Sequence, residues 1–406
     1  VRPEISVPAF SEFARRSDGP VWSGSLFPFL FVTIACGALS GFHALIASGT
    51  TPKMVEKERQ VRFIGYGGML MESFVAIMAL VAAVTVDRGI YFAMNSAAGA
   101  TGGTIEGAAA FVNSLGLTGV NVTPELLGQT AEHVGEHSIV SRTGGAPTLA
   151  VGMATILHQM MPAFDLMSFW YHFAIMFEAL FILTAVDAGT RVARFMLQDT
   201  LGNFFPRFND HNWRVGAWIT TAVMVAGWGG ILILGVTDPL GGINTFYPLF
   251  GIANQLLAAV ALAVCLAIAA NKGKFKYLWI IAIPLAFDLV VTVVGSWQKI
   301  FSSNPKVGYW ANHFAFKEAL NSGAESFGAA KTPEAIEAVV RNTMVQGTLS
   351  IIFVLLALVV VVMAIIEVIR AYQGHTKESC EDPYVDSRLF APAGLTATAA
   401  EKDVEK

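Results

Sequence analysis

Charge is scarce in this chain. Only 14% of the 406 residues are Asp, Glu, Lys or Arg, where an ordinary soluble domain carries about 25%. The 26 basic and 30 acidic residues leave a net charge of -4 spread over short stretches. That balance carries no sign of a nucleic-acid partner. Cysteine is almost missing as well: of the three, Cys36 and Cys265 fall in apolar runs and Cys380 near the end, which excludes a disulfide framework. Neither an initiator Met nor a signal peptide stands at the start, where Val1 opens a polar, charged segment. That opening leads us to expect a chain continuing a longer protein.

What fills the chain instead is apolar. Hydrophobic residues make up 54% and the mean hydropathy is +0.57. Backbone polar groups in lipid must be satisfied within the segment, so such runs cross a bilayer as helices. The composition therefore predicts an all-α polytopic membrane protein. The 38 glycines suit closely packed or interrupted spans. Seven apolar segments stand out, at 26–48, 63–86, 166–187, 216–236, 246–270, 277–297 and 346–369. Basic residues cluster after the first (Lys53, Lys57, Arg59, Arg62), the third (Arg191, Arg194, Arg207, Arg214) and the fifth (Lys272, Lys274, Lys276). By the positive-inside rule those turns are cytoplasmic. The first span then begins outside, and the end of the chain is cytoplasmic.

The expected organisation follows. Residues 1–25 are an extracytoplasmic lead-in, 26–370 a transmembrane domain, and 371–406 a charged, Ala/Thr-rich tail predicted to be disordered. Two segments inside the domain, 88–165 and 298–345, lie outside the membrane. Each contains a helix start with Thr as cap and Pro in the first position, at Thr123-Pro124-Glu125 and Thr332-Pro333-Glu334. The run from Gly144 through LAVGMATILHQMM is too short for a confident span and reads as re-entrant or surface-lying. The sequon at Asn121 is followed by Pro124 after its Thr and reads as chance.

Within the first apolar segment, Cys36-Gly37-Ala38-Leu39-Ser40-Gly41-Phe42-His43 is written against a regular helix. Two glycines, a hydroxyl and an imidazole weaken the helix and place polar groups at membrane depth. Opened backbone survives there only when buried by other spans or lining a cavity, as at transporter binding sites. The plainer alternative is that Gly37 and Gly41 form a small-xxx-small packing surface and that His43 is bonded between helices.

Other ionisable or polar groups also fall within spans: Glu72, Glu178 with His172 before it, Asp187, Asp288, and the pair Asn254-Gln255. A carboxyl taken into low dielectric favours its neutral form and can load and release a proton. The structural alternative is a carboxyl bonded across helices. For Asp187, with Arg191 one turn on, an ion pair is the leading reading. Two enzyme readings are weaker. The spacing Gly37-Ala38-Leu39-Ser40-Gly41 is one residue too long for an intramembrane serine protease turn, and His43 is badly placed as its base. His133 and His137 have metal-ligand spacing but no flanking ligands, so they read as a solvated helix face.

Together the runs FPFLFVTIACGALSGFHALIASGTTPK, GYGGMLMESFVAIMAL, GGAPTLAVGMA, FEALFILTAVDAGTR and DPLGGIN with PLFGIANQ resemble the carbon starvation protein A family over most of residues 20–300. Family members carry further spans upstream, so the chain resembles their C-terminal part. The resemblance implies the amino acid/polyamine/organocation superfamily and the inverted five-helix repeat of the leucine transporter. The present spans would be its second repeat plus trailing helices. Cys36–His43 would then be the unwound substrate-binding helix, and the third span, with Glu178 and Thr184, the helix beside a coupling-ion site.

The family is linked to uptake of pyruvate and peptides during nutrient limitation, driven by protons. The expectation is a bacterial inner-membrane secondary importer, not an enzyme, with no cofactor or metal. Its partners would be the lipid bilayer, an upstream half and a small substrate. Gly37, Ser40, Gly41, His43 and Gln255 are the substrate-binding candidates; Glu72, Glu178 and Asp187 are the proton-coupling candidates. An anionic substrate would suit the amides at Ser40-Gly41-Phe42, whereas a peptide would need a larger cavity. A membrane sensor without net flux is the alternative function.

Overall fold

The first apolar segment folds as two pieces. Leu26–Thr33 (α1) ends at Ile34, and Gly41–Gly49 (α2) begins after Ser40, which is not helical. The computed structural model describes residues 4–375 except 22, 35, 36, 38, 50, 56–59, 162–165, 211, 212 and 239–241. Cys36 and Ala38 thus lie outside the described residues, as do Lys57, Arg59 and 376–406 of the expected tail. Among the described residues every regular element is a helix.

After the broken pair comes Gln60–Thr85 (α3), then the shorter Arg88–Asn95 (α4), Ile105–Ser114 (α5), Pro124–Val134 (α6) and Gly145–Met160 (α7). Met167–Gly202 (α8), Arg214–Val236 (α9), Gly242–Asn271 (α10) and Leu278–Phe301 (α11) follow. Tyr309–Asn321 (α12) and Pro333–Tyr372 (α13) complete the described part. Six helices among the described residues (α3, α8, α9, α10, α11 and α13) are long and apolar enough to cross a membrane. The seventh expected span is the interrupted one. The chain is an all-α, multi-pass membrane protein. On α3 the side chains of Met69, Leu70, Met71, Phe74, Ile77 and Leu80 all face outward, a continuous apolar surface that water would penalise.

Both capped helix starts form as the sequence predicts. Thr123 Oγ1 accepts the N–H of Leu126 and Thr332 Oγ1 that of Ala335, each at 3.2 Å. The helix from Thr332, however, is no short element. It runs without interruption through the expected last span to Tyr372, 40 residues in all. No proline or helix-ending glycine intervenes, and the polar positions at the junction of the outside segment and the last span form one inward stripe. Asn342, Thr343, Gln346 and Ser350, spaced by one, three and four residues, are all buried, packed against α10 and α12. In the same way the third span overshoots its expected end at 187 and continues to Gly202. The Arg191 guanidinium bonds the Asp187 carboxylate one turn back, at 2.8 Å, and supports that extension.

Segment 88–165 has a core of its own. Met94, Val112, Leu127, Val134 and Ile139 are fully buried together with Ala150 of α7 and Tyr171 of α8. The helix α7 packs against α3 and α8, closely enough that a side chain at Gly152 would meet the Ala82 carbonyl at 2.5 Å. The lead-in is pinned to this core by an ion pair from Glu12 to Arg88 and by the Thr118 N–H donated to Glu12 at 3.2 Å. The backbone N–H of Glu12 itself, then the Arg88 guanidinium and the Thr118 N–H, hold the Glu12 carboxyl down at about 2.

Candidate functional site

One face of α10 brackets the interrupted helix on both sides. Where α1 ends, carbonyls are left without helical donors. The Tyr247 hydroxyl donates to the Thr33 carbonyl at 2.8 Å, and the Gln255 amide donates to the Phe31 carbonyl at 3.1 Å. Where α2 begins, the opposite need arises. The Phe42 N–H donates to Asn254 Oδ1 at 2.9 Å, and the His43 N–H donates to Ser40 Oγ at 3.3 Å. The Ser40 hydroxyl lies 3.5 Å from the same Asn254 oxygen. Neighbouring side chains, Asn254 and Gln255, therefore serve opposite ends of the interruption. A broken helix end inside a membrane requires such partners.

The approach of the two elements is close. A side-chain carbon at Gly41 would fall 2.3 Å from the Asn254 carbonyl and from Leu257 Cβ, and one at Gly251 2.7 Å from the Val32 carbonyl. Gly37 is different, with nothing within 4 Å of that position. The packing alternative thus describes Gly41; Gly37 has helical backbone and donates its N–H to the Ile34 carbonyl at 3.1 Å, and the non-helical residues are Leu39 and Ser40. Phe29 and Val32 of α1 are buried against Ile252, Leu256, Val291 and Ala357.

Behind the break lies a buried polar relay. The Thr292 hydroxyl donates to Gln255 Oε1 at 3.0 Å and also stands 3.4 Å from Asp288 Oδ1. Asp288 is 2% exposed, and its second carboxylate oxygen has no hydrogen-bond partner. Its place in the network at the break was not legible from the sequence alone.

In front of the break is a cavity of about 680 Å³. Thr33 and Tyr247 form its wall at the interruption, with Ala79 and Ala83 of α3. Glu178 reaches it from α8, and Gly144, Gly145, Ala146, Thr148 and Leu149, at the start of α7, line it as well. Asn95 fixes that turn: its Oδ1 accepts the Gly144 N–H at 3.2 Å, and its amide donates to Thr148 Oγ1 at 2.9 Å.

The remaining candidates fall in three places. His43 Nε2 stands 3.5 Å from Glu72 Oε1, both side chains about half exposed. Asp187 is in its surface pair with Arg191. Thr184 bonds back to the Phe181 carbonyl at 2.7 Å. The structure thus groups Ser40, Gly41 and Gln255 at the break, Glu178 on the cavity beside it, and His43 with Glu72 on the flank of α2. Sequence reasoning passed over Asn254 and Tyr247 as the side chains that hold the interruption. Their only signal was polar residues in an otherwise apolar run, seven apart, two helical turns on one face. Among the described residues no group of three or more His, Cys, Asp or Glu could hold a metal ion.

Residues 1–295 match the family described as "Carbon starvation protein CstA". The "Peptide transporter CstA" of Mycobacterium tuberculosis (strain ATCC 25618 / H37Rv) is 57% identical over 407 residues, covering all of this chain and 54% of the relative. Its counterpart by name in Escherichia coli (strain K12) is 49% identical over 95% of this chain and 55% of its own length. The "Pyruvate/proton symporter BtsT" of the same strain is 43% identical over 95% of this chain and 56% of its length. The chain spans about half the length of these curated relatives. All three are named as transporters and none as an enzyme. No solved structure matches the chain.

Proposed function

Since the chain belongs to the carbon starvation protein CstA family, we propose that it forms the substrate-bearing part of a proton-coupled importer of a small carbon source, a peptide or pyruvate. The observation that carries this reading is the interrupted helix, gripped at both ends by α10 and set against a cavity of small-molecule size that a carboxylate enters. Relatives bear the names of a peptide transporter and of a pyruvate/proton symporter, which supports both substrate classes.

In this proposal the substrate meets the open backbone at Leu39 and Ser40, with Gly37 beside it, and the Thr33 end of α1. Asn254 and Gln255 hold the two half-helices apart, and Gly41 lets them sit close to α10. Glu178 takes a proton on the cavity side, with the His43–Glu72 pair as a second proton-handling group on α2. Asp288 is added here as a carboxyl whose protonation would be felt at the break through Thr292 and Gln255. Asp187 recedes, because its carboxylate already serves Arg191.

The basic turns face the cytoplasm in this arrangement, the protein sits in a bacterial inner membrane, and α13 carries the tail to the cytoplasmic side. The remainder of the full-length protein would supply the facing repeat of an alternating-access fold, with lipid around both. The test is uptake of labelled pyruvate and of labelled dialanine by full-length protein in proteoliposomes, with and without an inward proton gradient. Gradient-stimulated uptake that Glu178→Gln removes, at unchanged protein content, is the expected result. Uptake indifferent to both gradient and substitution would defeat the proposal.

A further inference from the structure

The hydrogen bonds that run from Asp288 to the end of α1 can be given a direction. The Phe31 carbonyl can only accept, so the part of Gln255 that meets it at 3.1 Å is the amide N–H. The Gln255 oxygen then faces Thr292 and must accept there, at 3.0 Å. A threonine hydroxyl has one proton to give, and Gln255 takes it. Toward Asp288, whose Oδ1 stands 3.4 Å away, Thr292 is left with lone pairs alone. Two acceptors would face each other there unless Asp288 supplies the proton.

The surroundings of Asp288 offer no other way to balance a charge. The residue is 2% exposed, and its second carboxylate oxygen has no partner. Its helix packs on α1, α10, α12, α13 and the turn at Phe275–Tyr277. Among the described residues α1 carries no titratable group, α10 only Tyr247 and Cys265, and α13 none between Arg341 and Glu367. α12 brings Tyr309, His313, Lys317 and Glu318, and it meets α11 where Tyr309 packs against Lys299. Lys299 lies about three helical turns beyond Asp288, and Lys276 and Tyr277 about three turns before it. A buried carboxylate with neither a cation nor a donor is costly. The neutral acid is the form that fits this packing.

We propose that Asp288 carries a proton that holds the end of α1 in place, and that losing this proton to water releases it. This rests on reading the interrupted helix as the working part of a transporter. With the proton present every bond points one way: Asp288 to Thr292, Thr292 to Gln255, Gln255 to Phe31. Without it the Thr292 hydroxyl turns to the carboxylate, because a bond to a charged acceptor is the stronger. The Gln255 oxygen then loses its donor. Its amide must rotate away or flip, and a flip would set oxygen against the Phe31 carbonyl. Either movement breaks the bond at Phe31 and leaves the end of α1 to Tyr247 on Thr33. Asp288 is thus a positioning residue, acting on the break through two other side chains.

The test reads the break directly and measures no transport. Full-length protein with its native cysteines replaced carries Ile34→Cys, at the exposed end of α1, as reporter. Its labelling by a maleimide in detergent is followed between about pH 5 and 9, relative to the same cysteine in unfolded protein at each pH. Labelling should rise about fivefold with pH in one step, as for one lost buried hydrogen bond. Asp288→Asn, whose amide can donate to Thr292 at every pH, should stay slow throughout. Thr292→Val should be fast throughout, whereas Thr292→Ser, which keeps the hydroxyl, should keep the step. In the wild type the infrared band of a protonated carboxyl should vanish with the same step, a readout that needs no variant. A flat wild-type profile, an unchanged carboxyl band, or a step that survives Asp288→Asn would overturn the proposal. So would a step that follows sodium instead of protons. Those results would leave the substrate reading of the cavity standing, and failed uptake of pyruvate and dialanine would leave the labelling profile as it is.

Discussion

His43 Nε2 and Glu72 Oε1 stand 3.5 Å apart and join the second half of the interrupted helix to α3. The two residues are 29 positions apart in sequence, and each was singled out separately for its polarity in an apolar run. Contact between them makes one unit of what the sequence offers as two candidates. Groups that act as a unit respond non-additively to substitution. Glu72→Gln and His43→Gln should each lower uptake by about tenfold, equivalent to ~1.4 kcal/mol. The double variant should be little worse than either alone. Initial rates normalised to membrane abundance measure this, and a double variant showing the product of the two single losses would separate the residues.

Asn254 holds the start of α2 by accepting the Phe42 N–H, the task of a helix N-cap performed from a neighbouring helix. Asn254→Ala should cost about 1 kcal/mol. The loss should be concentrated at the break, with faster amide exchange at Phe42 and His43 and unchanged exchange in α5 and α6. Uniformly faster exchange would show that Asn254 supports the whole bundle instead.

The two glycines of the break should part company. Gly41→Ala places a carbon 2.3 Å from backbone and side chain of α10 and should cost about 1–3 kcal/mol, as overpacking does. Gly37→Ala meets nothing and should leave thermal stability unchanged. Melting temperatures of the purified variants decide this.

Glu12 supplies the clearest pH dependence. Bonds from its own backbone N–H, from Arg88 and from the Thr118 N–H hold the folded carboxyl at about 2, below the ordinary 4.5. A depressed acid contributes stability that is fully present above its unfolded value and is lost as pH falls through the folded one. Wild type should therefore exceed Glu12→Gln in melting temperature at pH 7, and the gap should narrow between about pH 4.5 and 2. A gap that persists or widens as acid is added would assign the contact another origin.

Much of this architecture was legible because helices in lipid leave a plain signature. Apolar runs gave the spans, and Thr-Pro-Glu gave two helix starts that the Thr123 and Thr332 hydroxyls close as expected. The interruption itself was legible from Gly37, Ser40 and Gly41. What holds it was not, since Tyr247, Asn254 and Gln255 act across more than 200 residues of chain and nothing local marks their partners. The continuity of α13 was hidden for a related reason. Asn342 and Thr343 read as loop until α12 covers them, and only tertiary packing turns a polar stripe into a buried face. Asp288 likewise carries no sign in sequence that Thr292 and Gln255 connect it to the break.

The unbroken course of α13 has a mechanical corollary. Forty residues at about 1.5 Å each make a strut of ~60 Å, roughly twice the thickness of the hydrocarbon layer. Such a rod transmits displacement along its axis with little bending. Trp310, packed on Gly347, and the last turn around Arg370 are thus joined by one rigid element, whereas the first apolar segment is divided at Ser40.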